Sequence, residues 1–554
     1  MQKTVKKAEK GRSGFAVMAG LIGMIRPLLP VMTLAILMGC IGNLMASFLT
    51  VLGGYGLLAA AGFFSGSLKT AFGLIIVFAV LRGVLRYAEQ ASNHYIAFKL
   101  LAQIRHKVFA ALRRLCPAKL DGSEKGNLIS VITSDIELLE VFYAHTISPI
   151  AIAVLTSGFM VWFIGRLHPA LGVLAAVCYL LVGAVIPIWN GKRGGDSGQR
   201  YRDSFGALNT VVLDNLYGLD EILQYGQQEQ RLSEMRERTG ALEEENRTLK
   251  NGETAQRVAT DGVILFAGVL MAAAAAGLAG RGVLLPGEAV IAVIAMMSSF
   301  GPAAALSALS NNLHHTLASG NRVLSILEEE PLVEDVTDGA GQFGGDIVCD
   351  GVSFSYDRQK EVLSNFSRTF AENKIHGILG KSGCGKSTLL KLLMRFYETD
   401  AGSIRYGDTP VGEIRTAAFR QRVSYVTQET FLFGDTIENN IKVAKEDAGR
   451  DEVIAAAKKA AIHEFIMSLP NGYDTKLAEL GDSVSGGERQ RIGLARAFLH
   501  DGSMIFLDEP TSNIDSLNEG IILRSLEREK QNKTILLVSH RKSTMGIVDD
   551  MAVM

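Results

Sequence analysis

No charged residue occurs between Arg26 and Lys69, a stretch well beyond the roughly 20 apolar residues that carry a helix across about 30 Å of hydrocarbon. In lipid every backbone amide must be bonded within the protein, and one spanning helix followed by an outer loop fits this stretch. Further charge-free apolar runs cover Val141 to Gly165, Pro169 to Gly191, Gly262 to Gly280 and Ala289 to Asn321. The Thr70 to Leu81 run must continue through polar residues to span, which brings the expected number of spans to six.

Lys99, Arg105, Lys107, Arg113 and Arg114 follow the second span, and Lys192, Arg193, Arg200 and Arg202 follow the fourth. By the positive-inside rule both termini are expected in the cytoplasm. The basic start, Met1 to Arg12, lacks a small-residue cleavage site after it and reads as a retained membrane start. Residues 98–140 and 192–260 are patterned as helices that run on beyond the membrane, with turns near Ala118 to Gly126 and Asp214 to Gly218. The formal net charge of −1 provides no field that would attract nucleic acid. The five scattered cysteines support neither a disulfide framework nor a zinc site.

Residues 1–326 therefore read as an all-α membrane domain, residues 327–345, rich in acid, Gly and Pro, as a linker, and residues 346–554 as an α/β domain. In the last of these, the strand Ile375–Leu379 runs into Gly380, Lys381, Ser382, Gly383, Cys384, Gly385, Lys386, Ser387 and Thr388, which open an apolar helix. Strand, glycine loop and helix N-terminus together form a phosphate cradle: backbone N–H groups and the helix dipole face the phosphates, Lys386 reaches the β and γ oxygens, and Ser387 ligates Mg²⁺. A second apolar strand, Met504–Leu507, ends in Asp508, suited to hold Mg²⁺, and Glu509, suited to polarise an attacking water. His540 closes the next strand within reach of a γ-phosphate. The expected chemistry is ATP hydrolysis.

This second domain resembles an ABC-transporter nucleotide-binding domain, and with the spans ahead of it nearly the whole chain resembles a half-transporter of type IV exporter fold. The resemblance implies that Tyr356 stacks on adenine and that Gln428 is the Q-loop glutamine near Mg²⁺. It further implies an X-loop at 475–481, a signature at Ser485, Gly486 and Gly487, and a D-loop ending at Asp515. Because each ATP in that family is held by one chain's phosphate loop and another chain's signature, a dimer is implied. Val484 and Glu488 stand where the family usually has Leu and Gln. Related domains also continue further past His540, so a truncated C-terminus is expected.

Within the second span, Arg82, Arg86, Glu89 and Asn93 share one helical face, with Gly83, Tyr87, Gln90 and His94 on a neighbouring one. Charges in a spanning helix face protein or a water-filled cavity. They either line a substrate path or form a pair near the inner boundary, His94 lying about 36 Å from Thr70 along the helix. The run from Arg86 through His94 to Cys116-Pro-Ala118, with the SGGE signature, resembles the CydC subunit of the CydDC family. That resemblance implies a heterodimer with a CydD-like chain, export of thiols such as cysteine or glutathione, and haem handling with His94 as a ligand candidate. A lipid or multidrug exporter, and a regulatory ATP-binding subunit without steady turnover, remain as alternatives. The six spans exclude a soluble DNA-repair ATPase.

Overall fold

The computed structural model describes residues 12–64, 67–121, 125–356, 360–477 and 484–554. These group into two compact units, one of residues 1–113 and 123–329, the other of residues 114–122 and 330–554.

The first unit has six helices long and apolar enough to cross a membrane: Arg26–Ala60, Leu68–Leu115, Leu128–Leu167, Pro169–Trp189, Gln228–Gly280 and Pro286–Ser307. Leu68–Leu115 is one continuous helix of 48 residues, about 70 Å at 1.5 Å per residue, so it outruns the hydrocarbon by a factor of two. From Lys99 on, about 46 Å along the helix from Leu68 and so beyond the hydrocarbon, Lys99, Arg105, Lys107, Arg113 and Arg114 follow in close succession. The helix Gln228–Gly280 is longer still. Small residues recur in the contacts among the other spans: Ala175, Ala267, Ala275, Ala292 and Ala295 are buried beside Met271, Met296 and Ile291. Small side chains bring backbones together where lipid offers no hydrophobic drive. By contrast, none of the most apolar window of the second span is buried within the chain.

The last span is interrupted. Helix Pro286–Ser299 stops, Phe300 packs edge-on to Tyr179 at 5.1 Å, and a new helix, Gly301–Glu328, starts with Pro302 in its first turn. Proline has no N–H to donate and restarts a helix more readily than it continues one. A looser i→i+5 turn at Tyr143–Ile147 similarly distorts the third span just before Pro149. Both irregularities border the cavity described below.

The second unit contains strands β1 (Ile347–Phe354), β2 (Leu363–Phe370), β3 (Ile375–Leu379), β4 (Ala401–Tyr406), β5 (Thr409–Pro410), β6 (Val423–Val426), β7 (Met504–Asp508), β8 (Thr534–Ser539) and β9 (Asp550–Val553). An antiparallel sheet takes the order β2-β1-β4-β5, and a parallel sheet the order β6-β7-β8-β3-β9. Every residue of β7 and β8 is buried, as central parallel strands covered on both faces must be. Residues 114–122 group with this unit, and Ala118 is buried in its apolar cluster. A short helix, Ala118–Asp121, begins there. The second expected turn falls at Gly218, whose N–H closes the preceding helix on the Asp214 carbonyl at 2.9 Å.

Candidate functional site

Strand order assembles the first site. Because β6, β7, β8 and β3 are neighbours and parallel, the segments leaving their carboxyl ends lie side by side: Gln428, Asp508 with Glu509, His540, and the Gly380–Ser387 loop. Ligands of open parallel sheets bind at such an edge.

Gly385 has φ of 100°, and a Cβ there would lie 2.9 Å from the Val362 carbonyl, so only glycine fits the turn into helix Lys386–Leu393. Lys386 is buried and donates to the Gly380 and Lys381 carbonyls at 2.9 and 2.8 Å, its Nζ lying 3.8 Å from Cys384 Sγ. Tyr356 is exposed, with its hydroxyl 3.1 Å from Thr388 Oγ1 and its ring edge-on to Phe354 and Tyr397. Ser382, Gly383 and Gly380 complete the loop.

Asp508 is buried, and its Oδ1 has no hydrogen-bond partner in the structure. Burial pushes its carboxyl above the usual range; Ser387 opposes this through a side-chain hydrogen bond and Glu509 adds to it by repulsion. A buried carboxylate with an orphaned oxygen, beside a hydroxyl at the helix start, fits a divalent cation as the missing partner. Ser387 and Asp508 would hold Mg²⁺, which when bound supplies charge neutralisation to phosphate oxygens.

Glu509 adopts a left-handed backbone with φ of 50°, a conformation that costs about 1 kcal/mol or more in a non-glycine residue. Its amide donates to Val538 O at 2.9 Å, and its carbonyl accepts from Gln490 Nε2 at 2.6 Å. Its carboxylate lies 3.0 Å from His540 Nδ1 and 3.5 Å from Gln428 Nε2. The structure thus gathers Gln428 and His540 around the Glu509 carboxylate.

Sequence reading missed Gln490 and Arg541. Buried Gln490, on the helix Gly486–His500, also reaches Ser512 Oγ at 3.4 Å and accepts from the Asn513 amide at 3.3 Å. Arg541 donates to the Thr511 and Ser512 carbonyls at 3.2 and 2.9 Å. Only their proximity to motif residues in sequence could have flagged them.

Ser485 caps the signature helix and Glu488 reaches back to the Ser485 amide at 2.7 Å, so the unusual acid closes a capping box on its own helix. Gly487 allows close approach, since a Cβ would lie 2.6 Å from Asn513 O. Asp515 caps the following helix, Ser516–Glu529, accepting from Asn518 N at 3.2 Å and from its side-chain amide at 2.6 Å. Residues 478–481 of the expected X-loop lie outside the described residues.

The second site lies in the membrane unit. A cavity of about 490 Å³ is lined by Arg82, Arg86, Glu89, Gln90 and Asn93 of the second span, by Gly39, Gly42 and Asn43 of the first, by His145, and by Gly301 and Pro302 at the break. Arg86 pairs with buried Glu89 at 2.8 Å. His94 is not part of the lining; its ring lies 5.9 Å from Phe98 and 5.6 Å from His145, with Nδ1 3.4 Å from Glu140.

The sequence matches the model of the ABC transporter transmembrane region over residues 15–302 and that of the ABC transporter over residues 363–512. A probable ABC transporter ATP-binding/permease protein of Haemophilus influenzae is 46% identical over 97% of this chain and 98% of its own length. An ATP-dependent lipid A-core flippase of Desulfotalea psychrophila is 30% identical, covering 85% of this chain and 82% of its own. A solved bacterial Atm1-family ABC exporter with ATP bound superposes with a TM-score of 0.81 at 23% identity, covering 96% of this chain and 93% of that one, which shows a shared fold. With six apolar spans ahead of a phosphate loop, Asp508-Glu509 and a signature helix, the chain belongs to the ABC transporter family and is an ATP-hydrolysing membrane transporter subunit.

Proposed function

We propose that this chain is one half of a dimeric exporter of the bacterial inner membrane, with its ATPase unit in the cytoplasm, and that it couples ATP hydrolysis to movement of a small polar molecule held in the cavity beside Arg86 and Glu89. The observation that carries this reading is a cavity bearing Arg82, Arg86, Glu89, Gln90 and Asn93 inside the spans of a chain that also bears a gathered Gln428–Glu509–His540 cluster. In it, Tyr356 supports the adenine, Gly380 to Thr388 hold the phosphates, Lys386 exchanges its carbonyl partners for phosphate oxygens, and Gln428 assists at Mg²⁺. Glu509 takes the proton of the attacking water and His540 fixes its carboxylate. Ser485, Gly486, Gly487 and Asp515 serve the ATP on the partner chain's phosphate loop.

The cargo class is a thiol such as cysteine or glutathione, a reading supported by the resemblance of the second span and by the charged and amide side chains of the lining; the partner is a CydD-like chain, a reading supported by that resemblance alone. Haem handling through His94 rests on the resemblance alone, since His94 stands against Glu140 rather than in the cavity. Lipid movement is a second reading, favoured by the name of the Desulfotalea relative.

The test is ATPase activity of the purified assembly with cysteine, glutathione, haem, lipid A and hydrophobic drugs. Stimulation by thiols supports the proposal. Stimulation by drugs or lipid alone moves the protein to the corresponding class.

A further inference from the structure

The cavity lining is asymmetric in charge and includes no Phe, Tyr or Trp. We infer that it is the binding site for an elongated hydrophilic anion that carries a hydrogen-bond donor at its far end. This deepens the reading of the cavity as the cargo site and rests on it.

Among the lining groups Arg86 is paired with Glu89, but the Arg82 guanidinium has no hydrogen bond or ion pair among the described residues. One positive charge of the lining is thus uncompensated. Arg82 is about 21 Å along the helix from Leu68 at 1.5 Å per residue, within the depth of the hydrocarbon. A guanidinium there is costly unless water or an anion meets it. Arginine's planar fork is matched to carboxylate and phosphate oxygens.

At the other end of the same face, the Asn93 side chain is 1% exposed, and its Oδ1 has no partner. An acceptor left unpaired in that position asks for a donor, because a buried polar atom without a bond costs about 1–3 kcal/mol. Eleven residues separate it from Arg82, about 16 Å along the axis, so one ligand that meets both is extended. Room at the level of Glu89 exists because residue 39 has no side chain: a Cβ on Gly39 would come 2.2 Å from Ile152 Cδ1 and 3.0 Å from Glu89 Cδ. No Phe, Tyr or Trp is among the lining residues, which disfavours flat apolar cations that bind by stacking on rings.

The required chemistry, an oxyanion with a distant N–H or O–H, is found in a free short peptide and in an anionic lipid headgroup. Binding to the purified assembly in phosphatidylcholine nanodiscs, without nucleotide, separates them. The free arm uses glutathione and triglycine, the lipid arm counts phosphatidylglycerol retained per assembly, and tetraphenylphosphonium is the cationic comparison. The expected result is binding in at least one anion arm, weakened tenfold or more in R82Q, kept within about threefold in R82K, and lost in G39V. Retention in R82K shows that the loss in R82Q reflects charge and not misfolding. The arm in which Arg82 matters identifies the source. The inference is overturned if neither anion arm binds, if R82Q binds as wild type does, or if tetraphenylphosphonium binds more tightly than the anions. Since no ATP is present, the two readings fail separately: Arg82-dependent anion binding without ATP-driven movement would sink transport alone, and ATP-driven movement of a cation would sink this inference alone.

Discussion

Glu509 Oε1 lies 3.0 Å from Nδ1 of His540, two residues that are 31 positions apart and are joined by the adjacency of β7 and β8. Gln428 approaches the other carboxylate oxygen from β6. The carboxylate proposed as general base is therefore held from both sides.

E509Q keeps this shape but cannot take a proton. Steady hydrolysis should fall by about 10²–10⁴-fold, the usual contribution of a positioned base, with ATP still bound. H540A should lower kcat more than it changes KM for ATP. Turnover in E509Q near the wild-type rate would remove Glu509 from the base role.

Gln490 is tested through the strained backbone that it holds. Q490L leaves the Glu509 carbonyl and the Asn513 amide without their partner, at a cost of about 1–3 kcal/mol. The expected outcome is a lower melting temperature of the assembly together with reduced kcat. Unaltered values of both would show that Gln490 does not position Glu509.

Tyr356 should act on nucleotide affinity. In Y356A the KM for ATP should rise about tenfold or more, since base–aromatic stacking contributes about 1–3 kcal/mol, while kcat changes little. Y356F keeps the ring and loses only the 3.1 Å contact with Thr388, so its KM should stay near wild type.

Asp549 links acid to stability. Its Oδ2 accepts from the Ile375 amide at 2.9 Å and its Oδ1 from Lys530 at 3.0 Å; the amide bond foremost, then the lysine, hold the carboxyl below its usual range against the opposing effect of burial. A carboxyl whose folded pKa is depressed stabilises the fold fully above its unfolded value, about 4, and ceases to do so as pH falls through the folded value. D549N should therefore lower stability at neutral pH by about 1 kcal/mol, a value reduced for solvent screening, and should flatten the loss of wild-type stability below about pH 4. Parallel melting curves of the two proteins from pH 7 to pH 3 would contradict this.

The membrane spans and the motif strands were legible because each is a local signal: a charge-free run long enough to cross lipid, or a buried strand ending in a phosphate loop or a carboxylate pair. β2, β4, β5 and β9 carry no such signal. β2 alternates irregularly, with Ser364, Asn365 and Arg368 among its polar residues, and its pairing with β1 carries register shifts. The face of Arg82, Arg86, Glu89 and Asn93 followed from helical spacing, and these residues do share one cavity. What spacing on one helix could not give was its neighbours. His145 enters the lining from the third span, and His94 turns toward Glu140, because packing between spans decides which side of a helix meets which partner. Gln490 and Arg541 belong to the same class, being defined by contacts distant in sequence.

On the proposed function, hydrolysis at this chain's ATP site moves a molecule held in its membrane cavity. The most direct measurement is ATP consumption and solute uptake recorded together in inverted proteoliposomes of the full assembly, with glutathione as cargo, for wild type and E509Q. Glutathione accumulation should require ATP and should fall together with hydrolysis in E509Q. Accumulation that persists in E509Q, or steady wild-type hydrolysis with no accumulation, would contradict it.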